Sequence, residues 1–175
     1  QGAFYNRNMN TSTAKLKYSS IAISGRPGAG RSTLLKNLKA VVEPLGWETF
    51  SGGDWARRFA IETGKHDASD VTHHKATDYS DEIDHQIDAA MREKLANPDT
   101  HIAVESWIAG WNMRGLPHVL KVLLMCDDSL RIDRVVNRDN LSVEEAKKHL
   151  REREEANIGK WERMYGTTDF WDPKH

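Results

Sequence analysis

Apolar positions along the chain alternate between short unbroken runs and stripes at helical spacing. Tyr18 to Ser24 holds Ile21, Ala22 and Ile23 and is followed by Gly25, which fits a short buried strand. Leu34, Leu35, Leu38 and Val41 then fall on one face and predict a helix over Arg31–Val42. Trp47 to Ser51 reads as a weaker strand, closed by Gly52-Gly53. Tyr79, Ile83, Ile87, Met91 and Leu95 recur every fourth position, so a long amphipathic helix is predicted from about Asp70 to Leu95. Asn97-Pro98 stops it. Ile102, Ala103 and Val104 make a third strand ending in Glu105, and Val119 to Met125 a fourth, the most apolar. A helix from Ser129 to about Arg138 follows. Ser142 and Glu145 then have the spacing of a capping box, opening a highly charged helix towards Tyr165-Gly166. Strands alternating with helices imply an α/β sandwich of three layers, with a parallel sheet covered on both faces.

Composition narrows the class without changing that outline. A length of 175 residues suits one domain with a full core. Lys and Arg number 25 against 26 Asp and Glu, a net charge of −1, so the chain lacks the basic field of a nucleic-acid binder. No apolar run approaches a membrane span, and mean hydropathy is −0.69. One cysteine, Cys126, excludes an intrachain disulfide or a multi-Cys zinc site and reads as an inert core thiol. His73-His74 are neighbours that cannot share a helical face, which argues against a metal site there. The expectation is a cytoplasmic monomer with no nucleic-acid or membrane partner. Residues 1–16 are polar and aperiodic, read as a disordered or tag-derived segment, and residues 17–175 as a single domain. Six tryptophans are many for this length; Trp107 and Trp111 either stack on a base or, more commonly for aromatics, fill core.

Chemistry is carried first by the turn after the first strand, Gly25-Arg26-Pro27-Gly28-Ala29-Gly30-Arg31-Ser32-Thr33. It nearly matches G-x-x-x-x-G-K-[ST] and lies between an apolar strand and an amphipathic helix, where that motif works. Glycines let the backbone curl with its N–H groups inward, and the helix N-terminus adds a positive dipole end. Such a turn cradles the phosphates of ATP, and the Ser32 hydroxyl falls where Mg²⁺ is held. Arg31 stands where the motif has lysine; it keeps the charge but offers a planar fork.

With this turn in place, the chain from about Ser20 onward resembles the short, archaeal-type cytidylate kinases of the P-loop nucleoside-monophosphate kinase superfamily. The likeness also rests on Ser51-Gly52-Gly53-x-x-x-Arg57-x-x-Ala60, Glu105-x-x-x-Ala109-Gly110-Trp111, Leu130-Arg131-x-x-Arg134-Val135-x-x-Arg138, and Arg153-Glu154 before Tyr165-Gly166. It implies transfer of the ATP γ-phosphoryl to CMP or dCMP, acceptor-binding helices at about 53–97, and a short lid at about 138–153. Ser51, Gly52, Gly53, Gly110 and Arg57 would meet the acceptor, although Arg57 also reads as a solvated surface arginine. Glu105, ending an apolar strand, is placed to orient Mg²⁺ through water, or else caps a helix. Arg131, Arg134 and Arg138 share a helical face and would neutralise triphosphate charge, with Arg153 closing from the next helix. Paired surface charge is the plainer alternative for that set. Asp84 and Asp88 are candidates to accept from an amino group on cytosine, against a simple solvated face.

Departures from the family pattern matter. Glu105-Ser106-Trp107 replaces Glu-Gly-Arg, which removes an arginine expected on the acceptor phosphate, and Lys160 and Trp161 replace Arg-Tyr near the end. With Arg31, three phosphate-facing positions are altered. A degenerate nucleotide-binding module with a regulatory role, or a P-loop kinase for another small acceptor, therefore stands beside the first reading. The resemblance also implies a further strand past Trp171-Asp172-Pro173, without which the fourth strand has an open edge.

Overall fold

The computed structural model describes residues 17–62 and 80–174, without the side chains of residues 57, 59, 60 and 62. In order these form β1 (Ser20–Gly25), α1 (Arg31–Val42), a 3₁₀ turn (Glu43–Leu45), β2 (Glu48–Ser51), α2 (Gly52–Glu62), α3 (Asp81–Ala96), β3 (Ile102–Glu105), α4 (Ala109–Asn112), β4 (Val119–Leu124), α5 (Asp128–Asp139) and α6 (Val143–Tyr165). The strands form one parallel sheet in the order β2-β3-β1-β4. On its outer side β4 has no strand partner among the described residues.

Strand alternation sorts the core into two layers. Ile21, Ile23, Ala103, Val122 and Leu124 point to one face and pack against Leu34, Leu35 and Leu38 of α1. Ala22, Ile102, Val104 and Val119 point to the other and pack against Met91 and Leu95 of α3 and Ala109 and Met113 around α4. A third cluster is aromatic: Trp111, Trp161 and Phe170 are buried together with Ile108, and Tyr165 and Trp171 pack around them. Most of the tryptophans thus fill the layer between α4, α6 and the chain's last residues. Trp111 is one of these, so it serves the core rather than a base.

Element ends obey local rules. Ser80 caps α3, its hydroxyl accepting from the Ile83 N–H at 3.3 Å; the expected stretch of that helix before residue 80 lies outside the described residues, as do His73 and His74. Ser142 and Glu145 form both bonds of the capping box, and Gly166 ends α6 in the left-handed conformation. The short helix α4 has no local signal: four residues including a glycine do not hold a helix alone. It forms because Gly110 lies against β1, its N–H donating to the buried Ser24 hydroxyl at 2.5 Å. Cys126 differs from expectation too. It is half-buried in the turn after β4, 3.5 Å from Arg134 Nη1, because the apolar strand ends before it.

Ser142→Ala removes the reciprocal cap from the long charged helix. A loss of about 1 kcal/mol is expected in urea or thermal unfolding, with the m-value unchanged.

Candidate active site

The carboxyl ends of β1, β2 and β3 converge on Glu105. Residues 103 and 105 share the α1 face of β3, so alternation alone sends this carboxylate towards the first turn of α1. In the ladder Ser51 of β2 and Ile23 of β1 are its neighbours. The Ser51 hydroxyl donates to Glu105 Oε1 at 2.6 Å, and Ser32 Oγ stands 3.5 Å from the same oxygen. Arg31 Nη1 is 3.1 Å from Oε2, close enough for ionic attraction but without the alignment of a hydrogen bond, so Oε2 has none. Glu105 is 2% exposed. Burial pushes the Arg31 guanidinium down from its ordinary value, and the Glu105 charge pulls it back.

Above this pair runs the glycine-rich turn. Gly28 and Gly30 have φ of 77° and 102°, the left-handed region that favours glycine. A Cβ on Gly28 would also sit 3.0 Å from the Arg131 carbonyl oxygen, so α5 packs directly on the turn. Gly30 is the N-cap of α1 and no side chain caps that end, which leaves its first amides open to an anion. The turn's carbonyls point outward and are bound by α5: Arg131 Nε donates to Pro27 O at 2.8 Å, and Arg134 Nη1 to Gly28 O and Ala29 O at 3.0 and 3.1 Å.

Turn and arginines enclose a cavity of about 400 Å³. Pro27, Gly28, Gly30, Arg31, Ser32 and Thr33 line it from the loop, Arg134, Arg138 and Arg153 from α5 and α6, and Gly53, Glu105 and Trp107 from below. Arg138 is held by Asp139 at 2.7 Å, a bond that also raises its guanidinium's affinity for its proton. Arg131 does not enter the cavity. It is 4% exposed and spends its guanidinium on Pro27, Asp128 at 2.7 Å, and Glu154. Its place is behind the turn, which it braces. Arg26 turns away as well, towards Glu154 at 3.8 Å and the Trp171 ring.

A narrower cavity of about 120 Å³ adjoins the first, and Gly53 and Trp107 line both. Gly52, Trp55 and Ala56 of α2, Asp84, Ile87, Asp88 and Met91 of α3, Ser106 and Ile108 after β3, and Asn157 and Trp161 of α6 complete its walls. Both aspartates expected at the acceptor therefore reach it, but neither is a free solvated charge. Lys160, 3% exposed, holds Asp84 at 2.5 Å, and the Tyr165 hydroxyl donates to Asp88. Burial, reinforced by Asp84, pushes the Asp88 carboxyl up to about 6 against the Tyr165 bond, which lowers it. Burial and Asp88 together raise the Tyr165 phenol. Lys160 was expected to face phosphate; the structure gives it to Asp84 instead, because position 160 falls on the α3 side of α6. Gly110 reaches neither cavity: a Cβ there would lie 2.9 Å from Ser24 Oγ, so the position serves close packing and not acceptor contact. Gly52 lines the narrower cavity, as expected, and also lies tight against Ser106 and the Glu105 carbonyl, so its backbone reaches the site without room for a side chain. The Arg57 side chain lies outside the described residues.

Comparison with known proteins sharpens this geometry. The model of the Cytidylate kinase-like family matches residues 20–175. The chain belongs to this family. The cytidylate kinase of Haloarcula marismortui is 35% identical over 152 residues, 87% of this chain and 74% of that protein. That of Methanothrix thermoacetophila is 37% identical over 152 residues, 87% and 81% of the two chains. The crystal structure of an uncharacterized protein from Eubacterium ventriosum superposes with a TM-score of 0.56 at 16% identity, covering 89% and 81%, and shows the shared fold. Trp107 has charged and aromatic neighbours: the Arg31 and Arg153 guanidiniums lie 5.8 and 5.3 Å from its ring centroid and Trp161 meets it edge-on.

Glu105→Gln leaves Arg31 buried without a counter-charge. A stability loss of about 3 kcal/mol is expected, and metal-free ADP should narrow the gap by supplying phosphate to Arg31; equal melting of the two proteins without nucleotide would contradict the pair. Asp88, with its native pKa raised, costs stability as pH rises from about 3.8 through about 6, and the cost is complete above that. Asp88→Asn should therefore stabilise the protein by up to about 3 kcal/mol at pH 8, and the gain should vanish below pH 4 in unfolding curves.

Proposed function

We propose that this chain transfers the γ-phosphoryl group of ATP, with Mg²⁺, to the phosphate of CMP or dCMP. The observation that carries the reading is the pair of adjoining cavities: one walled by open helix amides and arginines, the other by two carboxyl groups and aromatic rings, with Gly53 and Trp107 common to both. Membership of the cytidylate kinase-like family supports the reaction and the acceptor.

The donor triphosphate fits the turn at the N-terminus of α1, where backbone amides bind without desolvating any anionic side chain. Arg31 stands beneath, already neutral as a pair with Glu105, and can exchange part of that attraction for a phosphate. The Ser32 hydroxyl and the Glu105 carboxylate are hard oxygen donors of the kind Mg²⁺ takes, and Oε2 is buried without a hydrogen bond, so the residues fit the ion. Bound there, Mg²⁺ supplies charge neutralisation to the donor phosphates. Among the described residues no group of three His, Cys, Asp or Glu could hold a metal alone, in keeping with an ion that shares its ligands with nucleotide.

Arg134, Arg138 and Arg153 stand opposite the turn and neutralise charge on the group in transit. No general base is needed, since an ionised phosphate oxygen is already a nucleophile; alignment and charge do the work. Gly53 and Trp107 sit where the two substrates meet. Trp107 cannot bind the acceptor phosphate as an arginine would, so that duty falls to Arg31, Arg153 and the backbone of Ser51, Gly52 and Gly53. Asp84 and Asp88 face the acceptor cavity and are suited to accept from an exocyclic amino group. In this reading α2 and α3 are the acceptor-binding segment, and the end of α5 with the first half of α6 is the lid. Among the described residues no helix is long and apolar enough to cross a membrane, and we place the reaction in the cytoplasm, performed by a monomer.

A coupled ADP-release assay over CMP, dCMP, UMP and AMP tests the proposal, with highest turnover expected for a cytidine acceptor. Nucleotide binding with no turnover on any acceptor would overturn it. Arg153→Gln should lower kcat by about 10²–10³, the loss of one charge-assisted contact made in the transition state, with a smaller change in KM.

A further inference from the structure

On the other side of α3 from the phosphate cavity lies a cleft of about 420 Å³ between α3, α4 and the end of α6. We infer that this cleft is a second binding site, for a small oxyanion of the phosphate or carboxylate class. Its walls carry Arg92, Arg114, Asn112, His85, Asp88 and Tyr165; of these only Asp88 also faces the acceptor cavity.

Three observations point to an anion. First, Arg92 and Arg114 are neighbours, Arg92 Nη1 lying 3.2 Å from Arg114 O, and burial, then the Arg92 charge, lower the proton affinity of the Arg114 guanidinium, with Tyr165 opposing them. Like charges brought together cost stability unless an opposite charge joins them. Second, backbone carbonyls rather than carboxylates hold these two arginines. Arg92 Nη1 donates to Asn112 O and, at 3.2 Å, to Arg114 O, and Arg114 Nη1 donates to Trp111 O at 2.8 Å while its guanidinium lies over the Trp111 ring. Neither has an ion-pair partner among the described residues. Each guanidinium is thus fixed in place with N–H groups unspent, a preorganised fork for an oxyanion. Third, Asn112 is 5% exposed and its Nδ2 lies near the Asp88 carboxyl without completing a hydrogen bond. A buried amide left unpaired costs more than one exposed to water, and an anion in the cleft would accept a hydrogen bond from it.

Asp88 stands at the floor of the cleft, its oxygen bound by the Tyr165 hydroxyl. That bond keeps the carboxyl from competing fully for the two arginines, and it makes Asp88 the link between this cleft and the acceptor cavity.

Inorganic phosphate is the probe. It is titrated by NMR into full-length protein saturated with Mg·ADP, so that the glycine-rich turn is already occupied. Saturable shifts in the amides of α3 and α4 are expected, with acetate as a second arm that separates the two oxyanion classes; either anion binding supports the site. Arg114→Gln should weaken binding about tenfold, the loss of a charge-assisted bond, while leaving turnover without added anion unchanged. Arg92→Gln should do the same, and if it unfolds the protein, Arg114→Gln decides alone. No saturable shift with either anion, or equal binding by wild type and Arg114→Gln, would overturn the inference and leave the proposed kinase reaction untouched.

Discussion

The buried pair of Arg31 and Glu105 is the constraint around which the rest is arranged. Two opposite charges 3.1 Å apart at the carboxyl end of a parallel sheet need an environment that satisfies their remaining hydrogen-bonding groups, or their desolvation outweighs their attraction. Ser51 from β2 and Ser32 from α1 supply part of that on one carboxylate oxygen. The other oxygen remains without a hydrogen bond. A residue pair left incomplete in this way is better suited to a ligand than to fold stability alone, because phosphate and a cation can each take one member.

Around that pair the protein divides its positive charge by function. Arg131, buried and fully engaged, braces the turn from behind; Arg134 holds the turn's outer carbonyls and still faces the cavity. Arg138, held by Asp139, and Arg153, over the Trp107 ring, also face the cavity. Trp107 gives the guanidiniums of Arg31 and Arg153 an aromatic surface to rest on at the edge of the cavity.

The acceptor side is tied together by α3 and α6. Asp81 meets Arg163, Asp84 meets Lys160, and Asp88 meets Tyr165, so three acidic residues on one face of α3 each take a partner from the last turns of α6. The helix that carries Arg153 into the phosphate cavity is therefore the helix that fixes the acceptor carboxylates.

Much was legible from local pattern. The glycine-rich turn, the capping box at Ser142, the position of Glu105 at the end of an apolar strand, and the choice of Asp84 and Asp88 on the long helix all depend on residues near in sequence, whose geometry the backbone dictates. Arg134, Arg138 and Arg153 also arrive where their helical phase sends them. Long-range packing decided the remainder. Whether Arg131 enters the cavity or backs the turn depends on how closely α5 approaches Gly28; whether Gly110 touches ligand or Ser24 depends on α4 resting against β1. Lys160 was expected at a phosphate-facing position, and only the docking of α6 on α3 buried it against Asp84. A single chain's pattern determines which way a side chain points from its own element, because that follows from φ, ψ and period. It does not determine what stands opposite, because that partner comes from another element whose approach is set by the whole core.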